Sequence, residues 1–138
     1  MCGRAYETYT GEELAIQYLN GQPPNLAWMR PIFNMTPTQN SPVVVVRHGE
    51  PAVDRFRWGV IPFWAKSVTA AAKHSLSNAR GEEITEKRTY AIAFKRRRCV
   101  GPLSRFYEWK GEDKTKHCFA IQLHDHPSMS VAGGWERW

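Results

Sequence analysis

The spacing of apolar and polar residues predicts a chain of short β-strands with few helices. Strict alternation over 116–123 puts Phe119, Ile121 and Leu123 on one side of a strand. A β-rich run over 43–47, a turn at 48–51 and an alternating run over 52–58 together predict a β-hairpin. Further short strands are predicted over 97–100, 105–110 and 129–135.

One amphipathic helix is predicted near the start of the chain. Thr10 and Glu13 have the spacing of a capping box, and Leu14, Tyr18 and Leu19 would form the buried side of the helix. The Asn-Gly pair at 20–21 is typical of a helix end. An irregular loop is predicted over 21–42, an aromatic loop over 58–64 and one or two short helical pieces over 82–94. Strands interrupted by a few helices indicate a single α+β domain over residues 1–138 with a curled sheet.

The composition favours a basic domain with a polyanionic partner. The 138 residues carry 19 Lys and Arg against 13 Asp and Glu, a formal charge of +6, and 12% of them are aromatic. The longest apolar runs, such as 43–46, are far too short to cross a bilayer, and the Met-Cys-Gly-Arg start has no signal-peptide core. We therefore expect a cytoplasmic protein without membrane association, nucleoid-associated if it is bacterial.

The cysteines do not indicate a disulfide framework or a metal site. Cys2, Cys99 and Cys118 make an odd count without a Cys-x-x-Cys pair. Three histidines accompany the last of them in the sequence (His117, His124 and His126). Their spacing fits no tetrahedral set, so we expect no metal and no cofactor, with Cys99 and Cys118 as small buried strand residues and the histidines at the surface.

Cys2 is the most suggestive position for chemistry. If Met1 is removed, Cys2 becomes the N-terminal residue, with its α-amine and thiol on adjacent carbons. The reference pKa values are about 8 for the amine and about 8.5 for the thiol, so some nucleophilic amine and thiolate coexist near neutral pH. Such an aminothiol converts an aldehyde to an imine and then to a five-membered thiazolidine. The alternative is a cysteine that merely follows the initiator methionine.

Glu108 stands among large aromatics in the run Arg-Phe-Tyr-Glu-Trp. A carboxylate in such surroundings could transfer protons. Simple alternation offers another interpretation, in which Glu108 faces solvent while Tyr107 and Trp109 pack inward.

Three further segments have the side chains of a nucleic-acid surface. Asn78 and Arg80 of an Asn-Ala-Arg tripeptide could bond a sugar oxygen and a phosphate. The arginine run at 96–98 would suit a phosphate backbone or an exposed strand edge. The aromatics of the loop 58–64 could stack on unpaired bases, or they could fill the core.

Six such elements, in this order, resemble the SRAP family, the SOS-response-associated peptidases or abasic-site processing proteins. The elements are Cys-Gly-Arg at 2–4, Phe-Asn-x-x-Pro at 33–37, Trp-Gly-x-x-Pro-x-Trp at 58–64, Asn-Ala-Arg at 78–80, Arg-Arg-Cys at 97–99 followed by Phe-Tyr-Glu-Trp at 106–109, and Ala-Gly-x-Trp-Glu at 132–136. Each element alone is a weak signal, whereas the ordered set is specific.

The resemblance implies a bifurcated mixed or antiparallel sheet that forms a pseudo-barrel. It implies a protein of the DNA-damage and SOS response that senses abasic sites in single-stranded DNA. Such a protein crosslinks to the ring-opened sugar through Cys2 as a thiazolidine. It also implies a linked, autoproteolytic peptidase activity that releases the N-terminal residue. The catalytic residues implied are Cys2, Asn78 and Glu108, and the DNA-binding residues are Arg4, Asn34, Pro37, Phe63, Trp64 and Arg80.

The chain departs from the family pattern at its C-terminal end. The family continues beyond the Trp-Glu-Arg region to a His-Arg-Met-Pro element, which these 138 residues do not contain. We therefore expect a domain that lacks the C-terminal part of the family domain, and a monomer. The alternatives left open are a peptidase that acts on other proteins and a non-covalent single-strand binding module, inactive because the chain is short.

Overall fold

The computed structural model describes residues 3–22, 25–72, 76–112 and 115–138. Eight strands and three α-helices lie in these ranges. The strands are β1 (Ala5–Glu7), β2 (Ile32–Met35), β3 (Asn40–Arg47), β4 (Glu50–Arg57), β5 (Arg98–Leu103), β6 (Arg105–Lys110), β7 (His117–Ile121) and β8 (Met129–Gly134). The helices are α1 (Gly11–Tyr18), α2 (Val68–Ala72) and α3 (Arg88–Arg96), with a 3₁₀ turn at Gly81–Glu83. The predicted α+β class is confirmed.

The strands form two antiparallel four-stranded sheets. The first sheet has the order β2-β1-β6-β7, and the second has the order β4-β3-β5-β8. In the first sheet, Ala5 pairs with both Met35 and Phe106, and Phe106 pairs in turn with Ile121. These four side chains therefore share one face of the sheet.

Ser104 is the single residue between β5 in the second sheet and β6 in the first. It is buried, its backbone N–H donates to the Tyr6 carbonyl at 2.9 Å, and its Oγ accepts from the Thr8 backbone N–H at 3.0 Å. A nearly continuous strand thus passes from one sheet to the other. This is the branch point of the predicted bifurcated sheet.

The core lies between α1, β1 and the inner parts of β2 and β3. Its fully buried side chains include Ala5, Leu14 and Val45. The Tyr9 hydroxyl donates to the Pro102 carbonyl at 3.1 Å, which satisfies a buried polar group and ties the α1 side of the core to β5. Burial raises the pKa of Tyr9 far above its usual value.

Glu7 is a buried acid at the end of β1. Its side chain accepts a hydrogen bond from the Ser41 hydroxyl on β3, and the residue is 4% exposed. Burial raises the pKa of Glu7 to about 7, against the opposing effect of the Ser41 bond. Glu7 therefore titrates near neutral pH inside the fold.

Local sequence signals correctly predicted α1 and the β3–β4 hairpin. Thr10 Oγ1 accepts from the Glu13 backbone N–H at 3.1 Å, and the Glu13 carboxylate accepts from the Thr10 backbone N–H at 2.6 Å, so the capping box is formed. The hairpin turns at His48 and Gly49, which both have positive φ. The predicted strands correspond to β3 to β8, with ends that differ by a few residues.

Three elements were not predicted. β2 lies inside 21–42, which was wrongly interpreted as wholly irregular, while β1 and α2 had no prediction at all. β1 and β2 have three and four residues, too few to show a period, and they are ordered by pairing with β6 and with each other. Among the described residues, no helix is long and apolar enough to span a membrane.

Candidate functional site

Arg4 and Asn34 meet at the outer edge of the first sheet. Arg4 Nη1 donates to Asn34 Oδ1 at 2.8 Å, although the two residues lie 30 positions apart. The Tyr107 backbone N–H donates to the Arg4 carbonyl at 3.0 Å, so β6 lies beside the start of β1. The sheet therefore brings together one residue from each of three motif elements.

Glu108 lies on the opposite face of β6 from Tyr107, because successive strand side chains alternate. It pairs with Phe119 on β7 and shares the face of Phe106. Glu108 is half-buried while Trp109 is exposed. The solvent-facing interpretation of Glu108, with Trp109 packed inward, is therefore wrong.

The aromatic loop after β4 presents Phe63 and Trp64 at the surface. The two residues are 47% and 45% exposed, so the interpretation of these two rings as core fillers is wrong. Pro62 beside them is fully buried and anchors the loop. The guanidinium of Arg88 lies 5.6 Å from the centre of the Phe63 ring.

Trp58 holds this loop against the segment that leads to Asn78. Its indole Nε1–H donates to the Ser77 carbonyl at 3.1 Å, and the Val60 backbone N–H donates to the Leu76 carbonyl at 3.0 Å. Between them Gly59 has φ +109°, a conformation that an L side chain rarely adopts. The loop and the Asn-Ala-Arg tripeptide are therefore one structural unit.

The turn that contains Pro37 links this unit to the first sheet. The Thr38 backbone N–H donates to the Trp58 carbonyl at 2.8 Å, and the Trp58 N–H donates to the Gln39 carbonyl at 2.8 Å. Pro37 is half-buried inside the turn, which follows β2 and therefore Asn34. A continuous path of contacts runs from Arg4 through Asn34 and the Pro37 turn to Trp58 and Ser77.

Asn78 and Arg80 line an open groove of about 290 Å³. Tyr90 and Lys87 of the α3 region face them, and the Tyr90 hydroxyl donates to the Asn78 carbonyl at 3.3 Å. Burial raises the pKa of Tyr90. Glu83 lies 3.2 Å from the Lys87 ammonium and 3.8 Å from the Arg80 guanidinium, and the Arg80 side chain remains mostly exposed.

Arg97 and the Trp-Glu element near the end of the chain form a structural clamp. Arg97 Nη2 lies 2.6 Å from Glu136 Oε2, and Arg97 Nε donates to the Trp135 carbonyl at 3.1 Å. The Trp135 ring also packs against Phe56 at 5.6 Å and carries the Arg47 guanidinium at 4.9 Å. Arg97 is therefore used in this contact and is only partly exposed, whereas Arg96 and Arg98 are exposed. Arg98 begins β5, which is an interior strand of the second sheet, so the interpretation of this run as a strand edge is wrong.

Two of the three cysteines, Cys99 and Cys118, lie within the described residues. Cys2 lies outside the described residues. Cys99 is half-buried, and burial raises the pKa of its thiol to about 11, so it is a poor nucleophile. Cys118 is exposed on β7, so its predicted burial is wrong, because β7 presents all five of its residues to solvent.

His117, His124 and His126 are exposed as predicted. Within the described ranges, no group of three or more His, Cys, Asp or Glu side chains could hold a metal ion.

Tyr6 and Arg105 lie outside the motif elements but contact residues within them. Tyr6 and Phe33 pack edge to face with centroids 5.0 Å apart, and the Arg105 guanidinium lies 5.2 Å from the Tyr6 ring centre. The Tyr107 hydroxyl donates to the Phe33 carbonyl at 3.3 Å. Only the alternation of β6, which puts Arg105 and Tyr107 on one face, could have suggested this grouping.

The chain belongs to the SRAP (SOS response associated peptidase) family, whose sequence model matches residues 1–138. It is similar to the abasic site processing protein YoaM of Bacillus subtilis (strain 168), with 36% identity over 110 residues, 79% of this chain and 48% of that protein. It is also similar to the abasic site processing protein YoqW of Bacillus phage SPbeta, with 35% identity over 109 residues, 78% of this chain and 48% of that protein.

A crystal structure of a protein from Bacteroides thetaiotaomicron has the same fold, with a TM-score of 0.83 at 24% identity. The match covers 99% of this chain and 61% of that one. The chain spans about half the length of the curated relatives it matches.

Proposed function

We propose that this protein recognises abasic sites in single-stranded DNA and forms a covalent thiazolidine crosslink through Cys2 after Met1 is removed. The observation that carries the proposal is the path of contacts from Arg4 and Asn34 through the Pro37 turn to Trp58 and Ser77. This path connects motif elements that are far apart in the sequence. The names of the similar proteins, all abasic site processing proteins, support the same assignment.

The proposed chemistry balances with the aminothiol and the aldehyde alone. The neutral α-amine of Cys2 adds to the aldehyde carbon of the ring-opened sugar, and loss of water gives an imine. The thiol then adds across the C=N bond, its sulfur bonding to carbon and its proton passing to nitrogen. The product is a five-membered ring, and the net loss is one water molecule.

Glu108 is the general acid and base in this proposal. The register of Ala5 with Phe106 supports it, because this register sets β6 beside the residues that follow Cys2. A carboxyl group there can give its proton to the departing hydroxyl and, as the resulting carboxylate, accept a proton from the nitrogen. Asn78 orients the sugar or the N-terminus.

The DNA strand binds along the connected motif elements. Arg4 and Arg80 bind the phosphates that flank the lesion, and Asn34 and Pro37 shape the groove. Phe63 and Trp64 stack on the neighbouring bases, which their exposure and the Arg88 contact support.

The test is incubation of the purified protein with an oligonucleotide that contains one abasic site, followed by denaturing electrophoresis. The wild type gives a heat-stable adduct, and Cys2→Ala gives none. Cys118→Ala is the matched control, because Cys118 is a second exposed thiol, on β7, that has no part in the proposed reaction, and its removal leaves the adduct unchanged. An adduct that persists in Cys2→Ala, or one that is absent from a wild type lacking Met1, contradicts the proposal.

A second comparison tests the role of Glu108. Glu108→Gln slows adduct formation without weakening the binding of an intact strand, whereas Glu112→Gln, an exposed carboxylate beyond β6, changes neither. Mass spectrometry of the same proteins tests self-processing. Met1 retained in Glu108→Gln and absent from the wild type supports autoproteolytic release of the N-terminal residue, and Met1 absent from both argues against it.

A further inference from the structure

The outer face of the first sheet carries a cluster of aromatic rings beside two arginines. We call Tyr6, Phe33 and Arg105 the Tyr6 platform. Phe33 is 60% exposed although it is a large apolar side chain, and its ring is supported edge-on by Tyr6. The opposite face of β1 and β2 carries the buried Ala5 and Met35.

The contacts of the Tyr6 platform hold it in place. The Arg105 guanidinium stacks at 5.2 Å from the Tyr6 ring centre, because Arg105 and Tyr6 are paired in the β1–β6 register. The Tyr107 hydroxyl donates to the Phe33 carbonyl at 3.3 Å, which fixes the backbone that presents the ring. None of the described carboxylates forms a salt bridge with Arg105.

We propose that the Tyr6 platform is a base-stacking subsite for single-stranded nucleic acid, which binds a nucleotide beside the one at the Arg4–Asn34 pair. The inference rests on the proposed DNA-binding function and extends the path of the strand onto the outer face of the sheet. Exposed rings on a sheet, with cations at their edge, bind unpaired bases through stacking and the backbone through charge.

The position of Tyr6 relative to Arg4 supports this path. The two residues are two positions apart at the start of the same sheet, so their side chains lie on one face about 7 Å apart along the strand. Arg4 is bonded to Asn34, the residue that follows Phe33. The Tyr6 platform and the Arg4–Asn34 pair are therefore one continuous surface, positively charged at both ends.

The experiment measures fluorescence anisotropy of a labelled intact oligothymidine with the full chain. Phe33→Leu keeps apolar bulk and removes the aromatic face, and we expect it to bind about 5- to 30-fold more weakly. Phe94→Leu is the control, because Phe94 is a 38% exposed ring on α3, which contacts β5 and β8 of the second sheet, and we expect this variant to keep the wild-type affinity. Thermal unfolding establishes that both variants are folded. Wild-type affinity in Phe33→Leu, or an equal loss in Phe94→Leu, overturns the proposal.

In this proposal Arg105, at the edge of the Tyr6 ring, binds a phosphate of the stacked strand. Arg105→Gln therefore lowers the slope of log affinity against log salt by about 0.7, the value for one phosphate contact on a single strand. An unchanged slope overturns the assignment of a phosphate contact to Arg105.

Adduct formation separates this proposal from the proposed function. An adduct in the wild type with full affinity in Phe33→Leu rejects the Tyr6 platform and keeps the crosslinking function. Phe33-dependent binding without any adduct rejects crosslinking and keeps the platform.

Discussion

Arg97 and Glu136 form an ion pair with Nη2 2.6 Å from Oε2, which joins the residue after α3 to the segment after β8. The Glu136 side chain is only 7% exposed, and the Arg97 guanidinium supplies its hydrogen-bond donor. Two motif elements of the family thus meet in a contact with each other, and neither residue belongs to the proposed catalytic set.

We expect Arg97→Ala to lower the free energy of unfolding by about 2–3 kcal/mol, because it removes charged hydrogen bonds and leaves Glu136 without its partner. Urea unfolding measures the effect. Arg98→Ala, which removes an exposed neighbour, shifts stability by less than about 0.5 kcal/mol. Equal losses in the two variants would show that the ion pair contributes nothing.

We expect Glu7 to make the free energy of unfolding decrease as the pH rises. Its pKa in the folded state is about 7, above the ordinary value of 4.5, so the folded protein holds this proton more tightly than the unfolded chain does. The stabilisation is complete below about pH 4.5 and is lost as pH rises through about 7, with a total on the order of 3 kcal/mol.

Urea midpoints measured from pH 5 to pH 8 test this dependence. Glu7→Gln removes the titrating group and flattens the profile, whereas Glu12→Gln, an exposed carboxylate on α1, keeps the wild-type profile. If the urea midpoint of Glu7→Gln falls with pH as steeply as that of the wild type, another group causes the pH dependence.

Gly134 leaves little room for a side chain where β8 contacts α3. A Cβ at this position would lie 3.1 Å from Ala93 Cβ, and Ala93 is buried. Gly134→Ala therefore lowers the melting temperature through a loss of about 1–2 kcal/mol.

Gly101→Ala serves as the control, because its added Cβ meets nothing closer than 3.9 Å and its φ is ordinary. It leaves stability unchanged or raises it by about 0.4–1 kcal/mol. If Gly134→Ala is as stable as Gly101→Ala, α3 and β8 can move apart without a measurable loss in the free energy of unfolding.

Gly59 controls the aromatic loop. Gly59→Ala introduces a side chain at φ +109° and 3.3 Å from Arg57 Nη1, which costs about 1–3 kcal/mol and displaces Phe63 and Trp64. Anisotropy with an intact single strand measures the resulting loss of affinity. Gly49→Ala carries similar backbone strain at φ +88° in the β3–β4 turn, so it loses stability but keeps DNA affinity. Parallel loss of affinity in both would assign the effect to global destabilisation.

Local signals predicted the parts of the fold that form from neighbouring residues. The capping box of Thr10 and Glu13 and the hairpin turn at Gly49 depend on contacts within a few positions. β1 was missed because its order depends on Phe106, about a hundred positions away in the sequence. No short-range pattern encodes such a pairing.

The candidate site was predictable as a set of residues and not as an arrangement. The ordered motifs identified Arg4, Asn34, Trp58 and Asn78, but the contacts that connect the elements use backbone carbonyls such as those of Gln39 and Ser77, which carry no sequence signal. The same motifs also contain Glu136, whose contact is structural. Motif membership therefore could not separate chemistry from packing.

The single-residue connection at Ser104 couples the side-chain alternation of β5 to that of β6. Because β5 continues into β6 through one residue, the position of Cys99 in one sheet determines which face Glu108 takes in the other. Without a compensating bulge, one inserted or deleted residue at Ser104 would exchange Glu108 with Tyr107 between the two faces. An insertion or deletion at this connection therefore keeps Glu108 on its face only if it comprises an even number of residues.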